Sequence, residues 1–414
     1  MTRWGFIPFL FTLLGLLLGT WACGKVADEV GADGGGPDAA LDSPEDVRVA
    51  DAAESGDGSG TDGPFDAQGA GETGLPRSCA PGGPGMTNCG AGGSGSESCC
   101  TSLEVEGGTY YRTYDLAADG GVSLAADGGP TGEADPATVS SFRLDKYDVT
   151  VGRFRQFVAA WNGGLGYFPA AGSGKHAYLN GGQGLSNNGS SGGYETGWDA
   201  VGWNNTTHID PTTANLQCGS PPSSEAVPIT YTWTAAAGSQ ENLPINCVTW
   251  YESYAFCIWD GGFLPSEAEW EYAAAGGSQQ REYPWGSAAP GTACPGTGCD
   301  YAIYDCNYPS GSGGCGVANI APVGYASLGA GYWGQLDLAG EVWEWTLDWY
   351  NSTYADPCTD CANLAPAASG RVRRGGEFNL AATYYLLPWV RAIDDPSVPD
   401  SVVGFRCART PVSP

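Results

Sequence analysis

The sequence predicts an irregular, loop-rich domain with little regular secondary structure and many disulfide bonds. Its 66 glycines and 28 prolines, with only 15% charged residues, are typical of a chain that has many turns and few long helices. Fifteen tryptophans and twenty-one tyrosines supply enough apolar surface for a core despite that composition. Fifteen cysteines behind an export leader indicate covalent cross-links as a further source of stability.

Residues 1–22 have the composition of a signal peptide. Arg3 precedes an apolar run at 4–18, which is too short for a comfortable transmembrane helix and has no stop-transfer flank. Cys23 follows and resembles the lipidated cysteine of a lipoprotein, although the residues before it depart from the usual pattern; ordinary cleavage near Ala22 is the alternative. The mature chain is therefore expected to be exported. It would be lipid-anchored in a bacterial cell envelope, in the periplasm or at the cell surface, or secreted if Cys23 is not lipidated.

Residues 23–78 predict a disordered acidic tether. The segment is dominated by Gly, Ala and Asp, and it carries thirteen acidic residues against three basic ones. Such a composition cannot bury enough apolar area to offset the entropy of ordering. The net charge of the whole chain is −29, which repels phosphates and argues against nucleic acid and anionic membrane surfaces as partners. Membrane contact is expected only through the lipid anchor.

After Cys23, fourteen cysteines remain, an even number that suits seven disulfides in an oxidising compartment. The closest spacings predict three local bridges: Cys294 with Cys299, Cys306 with Cys315, and Cys358 with Cys361. The neighbours Cys99 and Cys100 are expected to bond different, distant partners. The "CTDC" spacing also suits a redox motif, but it lacks a strand-to-helix context and predicts a structural turn instead.

The folded domain is predicted to span 79–414, with a cysteine-rich entry at 79–104 and a core at about 105–410. Residues 107–114 and 140–150 alternate like strands. Thr150 then caps an amphipathic helix, whose predicted inner face carries Phe154, Phe157 and Val158.

A Gly- and Asn-rich excursion at about 162–242 contains both histidines of the chain. At that length it must be functional or stapled to the core. The polar surroundings of His176 and His208 predict that both lie in surface loops, which argues against Ser-His-Asp catalysis.

Two capped helices are predicted after this excursion. Thr249 and Glu252 form a capping box, as do Ser266 and Glu269, and the second helix ends at the glycine pair 276–277. The residues expected to face inward from the first of these helices are Trp250, Tyr254, Cys257 and Ile258.

Six separated motifs resemble, in the same order, those of the formylglycine-generating enzyme family, also called the sulfatase-modifying-factor domain. They are "RLDKYDVTVGRFRQFV", "LPINCVTWYESYAFCIWDGGFLPSEAEWEYAAAGG", "YPWG", "GQLDLAGEVWEWTLDWY", "RVRRGGEFN" and "VGFRCA", within about 105–410. The resemblance implies the irregular, loop-rich α+β fold of that family, which is C-type-lectin-like.

Active members of this family oxidise a cysteine of client sulfatases to formylglycine with copper, dioxygen and two cysteines, and soft thiolates suit Cu(I). The resemblance places those cysteines four and nine residues after Gly376, at Leu380 and Tyr385, so copper chemistry is not expected. The family's Ser after the glycine pair is Glu377 here. Cys407 matches a core position, as a disulfide or a buried thiol. A related branch that uses three histidines on iron is excluded, since the chain has two.

The resemblance also implies calcium. A loop of the family binds this ion through an acidic or amide side chain, two backbone carbonyls and a Glu, and oxygen ligands in a flexible arrangement suit calcium. The matching positions are Asp337, Gly340, Val342 and Glu344. The alternative is that Glu344 only pairs with a buried arginine such as Arg406. A second family site would involve Asn307 and Tyr308, but its remaining ligands cannot be matched.

These observations predict a non-catalytic domain that binds a ligand or partner, or serves as a surface scaffold. Its expected partner is a protein, a peptide or a glycan, and the chain is expected to be a monomer. The residues predicted to line the binding surface are Leu380, Tyr384, Tyr385 and Trp389. The alternative is a formylglycine-generating oxidase that acts on sulfatase cysteines through a rearranged pair of free thiols.

Overall fold

The computed structural model describes residues 75–79, 89–90, 95–115, 123, 131–188, 192–199, 208–219, 230–291, 301–309, 315–365 and 370–412. The predicted signal peptide, nearly all of the predicted tether with Cys23, and the predicted bridge between Cys294 and Cys299 lie outside these residues. Within them, no helix is both long enough and apolar enough to cross a membrane.

Regular secondary structure is sparse in this part of the chain, and the fold is the loop-rich α+β arrangement that was predicted. The helices are α1 (Val151–Trp161), α2 (Trp250–Trp259) and α3 (Glu267–Ala275). The strands are β1 (Ser102–Val105), β2 (Gly108–Thr113), β3 (Ala134–Val139), β4 (Phe142–Asp145), β5 (Ser186–Asn187), β6 (Trp343–Trp349), β7 (Cys358–Thr359), β8 (Cys361–Ala362), β9 (Arg371–Arg374), β10 (Arg391–Asp394), β11 (Val403–Gly404) and β12 (Ala408–Arg409).

In the described residues, the strands form four small sheets, with the strand orders β1-β4-β12, β10-β9-β6-β11, β2-β3-β7 and β5-β8. In the second sheet, β6 pairs antiparallel with β9 and parallel with β11. All seven residues of β6 are buried, so this strand is covered on both faces. It packs with α1 and α2 in the largest core cluster, where the rings of Phe154 and Phe256 stack at 5.6 Å.

The predicted helix caps are confirmed. Thr150 accepts a hydrogen bond from the amide of Arg153 at the start of α1. Both predicted capping boxes form at α2 and α3, and α3 ends at Gly276, whose φ of 68° lies in the left-handed region. Of the residues predicted to face inward, Val158 and Ile258 are only partly buried and lie at the margin of the core.

Disulfides link segments that are close in sequence and segments that are far apart. The pairs in the described residues are Cys79–Cys100, Cys89–Cys99, Cys218–Cys247, Cys257–Cys407, Cys306–Cys315 and Cys358–Cys361. Two predicted local bridges are therefore confirmed, and Cys99 and Cys100 do bond different partners, although both partners are near in sequence. Cys407 is half of a buried disulfide that spans 150 residues.

The prediction of a surface position is wrong for His176, which is completely buried. Its ring nitrogens lie 3.0 Å from carboxylate oxygens of Glu195 and Glu269. Burial alone would lower the pKa of His176, but the two carboxylates outweigh it and raise that pKa to about 10. The excursion is thus linked to α3 by a buried ion pair, and the disulfide between Cys218 and Cys247 links it to the segment before α2. His208 is half-buried and stacks on Tyr251 at 4.4 Å.

Candidate functional site

The candidate site begins at the turn that follows β9. Gly375 and Gly376 have φ values of 100° and 81°, which side chains rarely adopt. A Cβ on Gly376 would lie 2.7 Å from the carbonyl oxygen of Tyr385, so only glycine allows this close approach. The turn directs the chain back over the main core. There Leu380 packs partly buried, and its carbonyl accepts a hydrogen bond from the amide of Asp305.

Three of the four residues predicted to line a binding surface come together as part of an aromatic strip. We define this strip as Trp343, Tyr385, Tyr384 and Trp389. Consecutive ring centroids are 6.0, 5.6 and 5.4 Å apart, and each pair meets edge to face. Tyr384 is 43% exposed, whereas Tyr385 and Trp389 are half-buried against the core. The strip therefore runs from the core to the surface.

An open pocket of 380 Å³ lies at the outer end of the strip. Tyr384 and Trp389 form part of its lining, together with residues that the sequence did not indicate. Those that contribute rings or charges are Asp135, Tyr350, Tyr354 and Arg391. They come from separate segments of the chain, and no local pattern in the sequence connects them.

The polar groups of this pocket are held in place. Asp135 has a left-handed φ of 55°, and its carboxylate accepts a hydrogen bond of 2.7 Å from the hydroxyl of Thr113. Arg391 donates two hydrogen bonds of 2.6 Å to Glu267 and lies over the rings of Tyr350 and Tyr354, at 4.8 and 4.2 Å. Because these groups are already oriented, a ligand would bind here with little rearrangement.

Three residues of the predicted calcium loop have a left-handed backbone. Asp337, Gly340 and Glu341 have φ values of 62°, 82° and 65°. A Cβ on Gly340 would lie 2.2 Å from the carbonyl oxygen of Ile303, so no other residue fits there. Residues other than glycine rarely adopt a left-handed backbone, and those that do often lie in functional turns.

The predicted alternative for Glu344 is also present. Its carboxylate receives hydrogen bonds of 2.6 and 2.8 Å from Arg406, and one of 2.9 Å from the indole of Trp270. Arg406 also pairs with Asp148 at 2.9 Å. Glu344 is therefore the partner of a buried guanidinium, and any ion that it binds must share its oxygens with that group.

Negative charge exceeds positive charge around Arg406. Asp148, Asp337, Glu341 and Glu344 are all buried. One carboxylate oxygen of Asp148 and one of Glu341 have no hydrogen-bond partner. Burial raises the pKa of Asp337 to about 6, and burial together with neighbouring carboxylates raises the pKa values of Asp148 and Glu341 well above their usual range.

Either protonation of some of these carboxylates or a bound cation would offset this excess of negative charge. Within the described ranges, however, no three acidic, histidine or cysteine side chains converge closely enough to hold a metal ion. A calcium ion would need the predicted backbone carbonyls of Gly340 and Val342 to complete its ligands.

At the predicted second site, the side chain of Asn307 and the carbonyl of Tyr308 form hydrogen bonds with neighbouring residues of the loop. The side chain of Asn307 accepts from the amide of Tyr304 and donates to the carbonyl of Ala302. The carbonyl of Tyr308 accepts a hydrogen bond of 2.6 Å from the side chain of Asn319. These contacts hold the loop together and give no separate indication of an ion.

Comparison with known proteins gives a consistent assignment. A family model described as the sulfatase-modifying factor enzyme 1-like domain matches residues 93–411. A formylglycine-generating enzyme from Thermomonospora curvata is 30% identical over 246 residues, which cover 53% of this chain and 76% of that protein. An inactive C-alpha-formylglycine-generating enzyme 2 from Bos taurus is 30% identical over 179 residues, covering 42% of this chain and 52% of that protein.

Solved structures give a weaker likeness. The structure of PvdO from Pseudomonas aeruginosa is 18% identical, with a TM-score of 0.44, over 79% of this chain and 98% of that one.

Proposed function

The chain belongs to the family that carries the sulfatase-modifying factor enzyme 1-like domain, and on that premise we propose that it is a non-catalytic member that binds a protein, peptide or glycan ligand. The observation that carries this proposal is the 380 Å³ pocket, whose lining includes the rings of Tyr350, Tyr354, Tyr384 and Trp389. Its Tyr384 contacts Tyr385, one of the two positions that the family resemblance assigns to catalytic cysteines. Pockets of this size, with aromatic walls and a few fixed polar groups, are typical of ligand sites.

Copper does not fit this site. The two positions hold Leu380 and Tyr385, and neither can supply a thiolate. Every cysteine among the described residues is part of a disulfide. An oxidase with a rearranged site would need two free thiols near residue 380, so this alternative is left without a sulfur ligand in the described part of the chain.

The first prediction is that the protein does not form formylglycine. The purified full-length chain would be incubated with a Cys-x-Pro-x-Arg peptide, copper and oxygen, and the peptide analysed by mass spectrometry. We expect the cysteine to remain a thiol while an active relative converts it in parallel. An aldehyde in the sample with this chain would overturn the proposal.

Ligand binding is tested separately with glycan and peptide arrays. A ligand of the pocket should lose at least tenfold in affinity with Trp389→Ala, because aromatic anchors dominate such sites. The matched control is Trp285→Ala, which truncates another half-buried tryptophan, stacked on Tyr283 at 4.9 Å. Equal binding by both variants would place the ligand elsewhere.

The second prediction concerns calcium, which we propose binds the loop from Asp337 to Glu344. At one hundred times its Kd, calcium should add about 2.7 kcal/mol to the free energy of unfolding, seen as a higher Tm than in chelator. Asp337→Ala should abolish that difference, whereas Asp210→Ala, at an exposed position, should retain it. Identical melting of the wild type with calcium and with chelator would argue against the site.

Export and lipid anchoring at Cys23 belong to the same proposal, with the acidic segment 23–78 as the tether and a monomeric domain beyond it. The third prediction is a lipid-modified N-terminal peptide that begins at Cys23, detected by mass spectrometry of protein from the native bacterium. An unmodified peptide that begins near this position would instead indicate secretion.

A further inference from the structure

A group of three carboxylates lies at the inner end of the aromatic strip. We name it the acidic notch and define it as Glu377, Asp394 and Asp400, with Arg373 between them. A single nitrogen of Arg373 lies 3.2 Å from Asp394 and 3.3 Å from Asp400. The side chains of both aspartates are partly exposed, so the notch is open to solvent.

Glu377 is the member of the notch that has an unmet hydrogen bond. It follows the glycine turn directly and is only 8% exposed. Its carboxylate interacts with the indole of Trp343, but oxygen Oε2 has no hydrogen-bond partner. A buried acceptor without a partner costs about 1–3 kcal/mol. A ligand that donated a hydrogen bond to this oxygen would recover that free energy.

The other two carboxylates are fixed before any ligand arrives. The amide of Asp395 donates to Asp394 at 2.9 Å, and the amide of Val402 donates to Asp400 at 3.2 Å. Burial raises the pKa of Glu377 to about 7, so this carboxyl is partly ionised at neutral pH; with all three carboxylates ionised, they outnumber the single guanidinium of Arg373 by two charges. The notch therefore combines a fixed geometry with an excess of negative charge, and both favour a cation.

The notch is continuous with the aromatic strip. The guanidinium of Arg373 lies 5.2 Å from the ring of Trp343, and that ring meets Tyr385 at 6.0 Å. Glu377 contacts the same indole. The notch therefore adjoins the buried end of the strip at Trp343, and a ligand would enter it past the partly exposed side chains of Asp394 and Asp400.

We propose that the acidic notch binds an organic cation, a guanidinium or ammonium group carried by the ligand. The inference rests on the proposed function, because it names a charged group of the ligand that this domain would bind. Charge-assisted hydrogen bonds from several N–H donors match the three carboxylates that lie around Arg373. A metal ion is a poorer match, since acidic side chains in the described part of the chain do not converge closely enough to hold one. The net charge of −29 also attracts cations at long range.

Ligand-observed NMR titrations of the full-length protein test this inference. The probe is acetyl-Gly-Arg-Gly-amide, and its neutral counterpart has citrulline in place of arginine. We expect saturable binding of the arginine peptide and at least tenfold weaker binding of the citrulline peptide. Glu377→Gln should weaken binding of the arginine peptide at least fivefold, whereas Glu106→Gln, which removes an exposed carboxylate outside the notch, should leave it unchanged.

Asp400→Asn provides a second test, because Asp400 is more exposed than Glu377 and its replacement is less disruptive to the fold. Spermidine distinguishes the source of the cation. If spermidine displaces the arginine peptide, the notch also binds free amines. If spermidine does not displace it, the ligands of the notch are restricted to peptides. Equal binding of the arginine and citrulline peptides, or equal binding by wild type and both notch variants, would overturn the inference.

Failure of this inference is distinguishable from failure of the proposed function. If a neutral ligand binds and its affinity depends on Trp389 but not on Glu377, cation binding by the notch is wrong, whereas the proposal that the domain binds a ligand stands. Formation of formylglycine would overturn the non-catalytic assignment whatever the notch binds.

Discussion

Replacement of Arg406 by methionine is expected to lower the free energy of unfolding by about 3–5 kcal/mol, the usual cost of removing one partner from a buried charge cluster. Arg406 is completely buried, and it is the guanidinium that pairs with both Glu344 and Asp148. It also donates to the backbone carbonyls of Asp145, Lys146 and Leu336. Methionine can fill much of the volume, but it leaves those carboxylates without a counter-charge.

Chemical denaturation of both proteins measures this difference. The control is Arg143→Met, which removes a half-buried arginine with an exposed hydrogen bond to the carbonyl of Thr410, and it should change stability by less than about 0.5 kcal/mol. The titrations should be run in chelator, so that a cation cannot redistribute the charge. A loss below about 1 kcal/mol for Arg406→Met would show that the carboxylates are solvated or protonated in the folded protein.

Removal of the disulfide between Cys257 and Cys407 with a double alanine variant is expected to cost about 5 kcal/mol, because the lost cross-link closes a long loop in the unfolded chain. The two cysteines are 150 residues apart and join α2 to the segment that enters β12. The unfolded chain gains far more conformational freedom when this bridge is lost than when a short loop is opened.

The chain contains its own matched control. Cys358 and Cys361 form a second buried disulfide, but they are only three residues apart, and the same relation gives about 1.5 kcal/mol for their loss. Both double variants exchange buried sulfur for alanine, so the cavity effects are similar. Equal losses of stability would mean that loop length is not the source of the stabilisation.

Features encoded within a few residues could be predicted from the sequence. The capping boxes at Thr249 and Ser266 depend on a partner three residues away, and the bridges at Cys306 and Cys358 depend on close spacing. One of the two carboxylate partners of His176, Glu269, lies 93 residues away in α3, and a polar loop sequence does not indicate it. Burial of that histidine is set by tertiary contacts, so the local composition led to the wrong prediction.

The residues of the candidate site also divide into those that the local sequence predicts and those that only tertiary contacts bring together. The family motif located Leu380 and Tyr385, because their distance from the glycine pair is fixed along the chain. The pocket residues Asp135 and Tyr354 could not be found that way, since different segments deliver them to one place. Glu377 was visible as a departure from the family's serine, but only the fold shows that Asp394 and Asp400 approach the same arginine.

β1 and β12 flank β4 in one sheet, and Ser78 and Arg409 both donate hydrogen bonds to the carboxylate of Asp260, so the start of the folded domain lies near its last strand. The amide of Val412, the last described residue, donates a hydrogen bond of 3.3 Å to the carboxylate of Glu104 in β1. Neighbouring ends are the condition under which a domain tolerates circular permutation or insertion into a host loop. We therefore expect the domain to fold when it is inserted, through two adjacent connections, into a surface loop of an unrelated carrier protein.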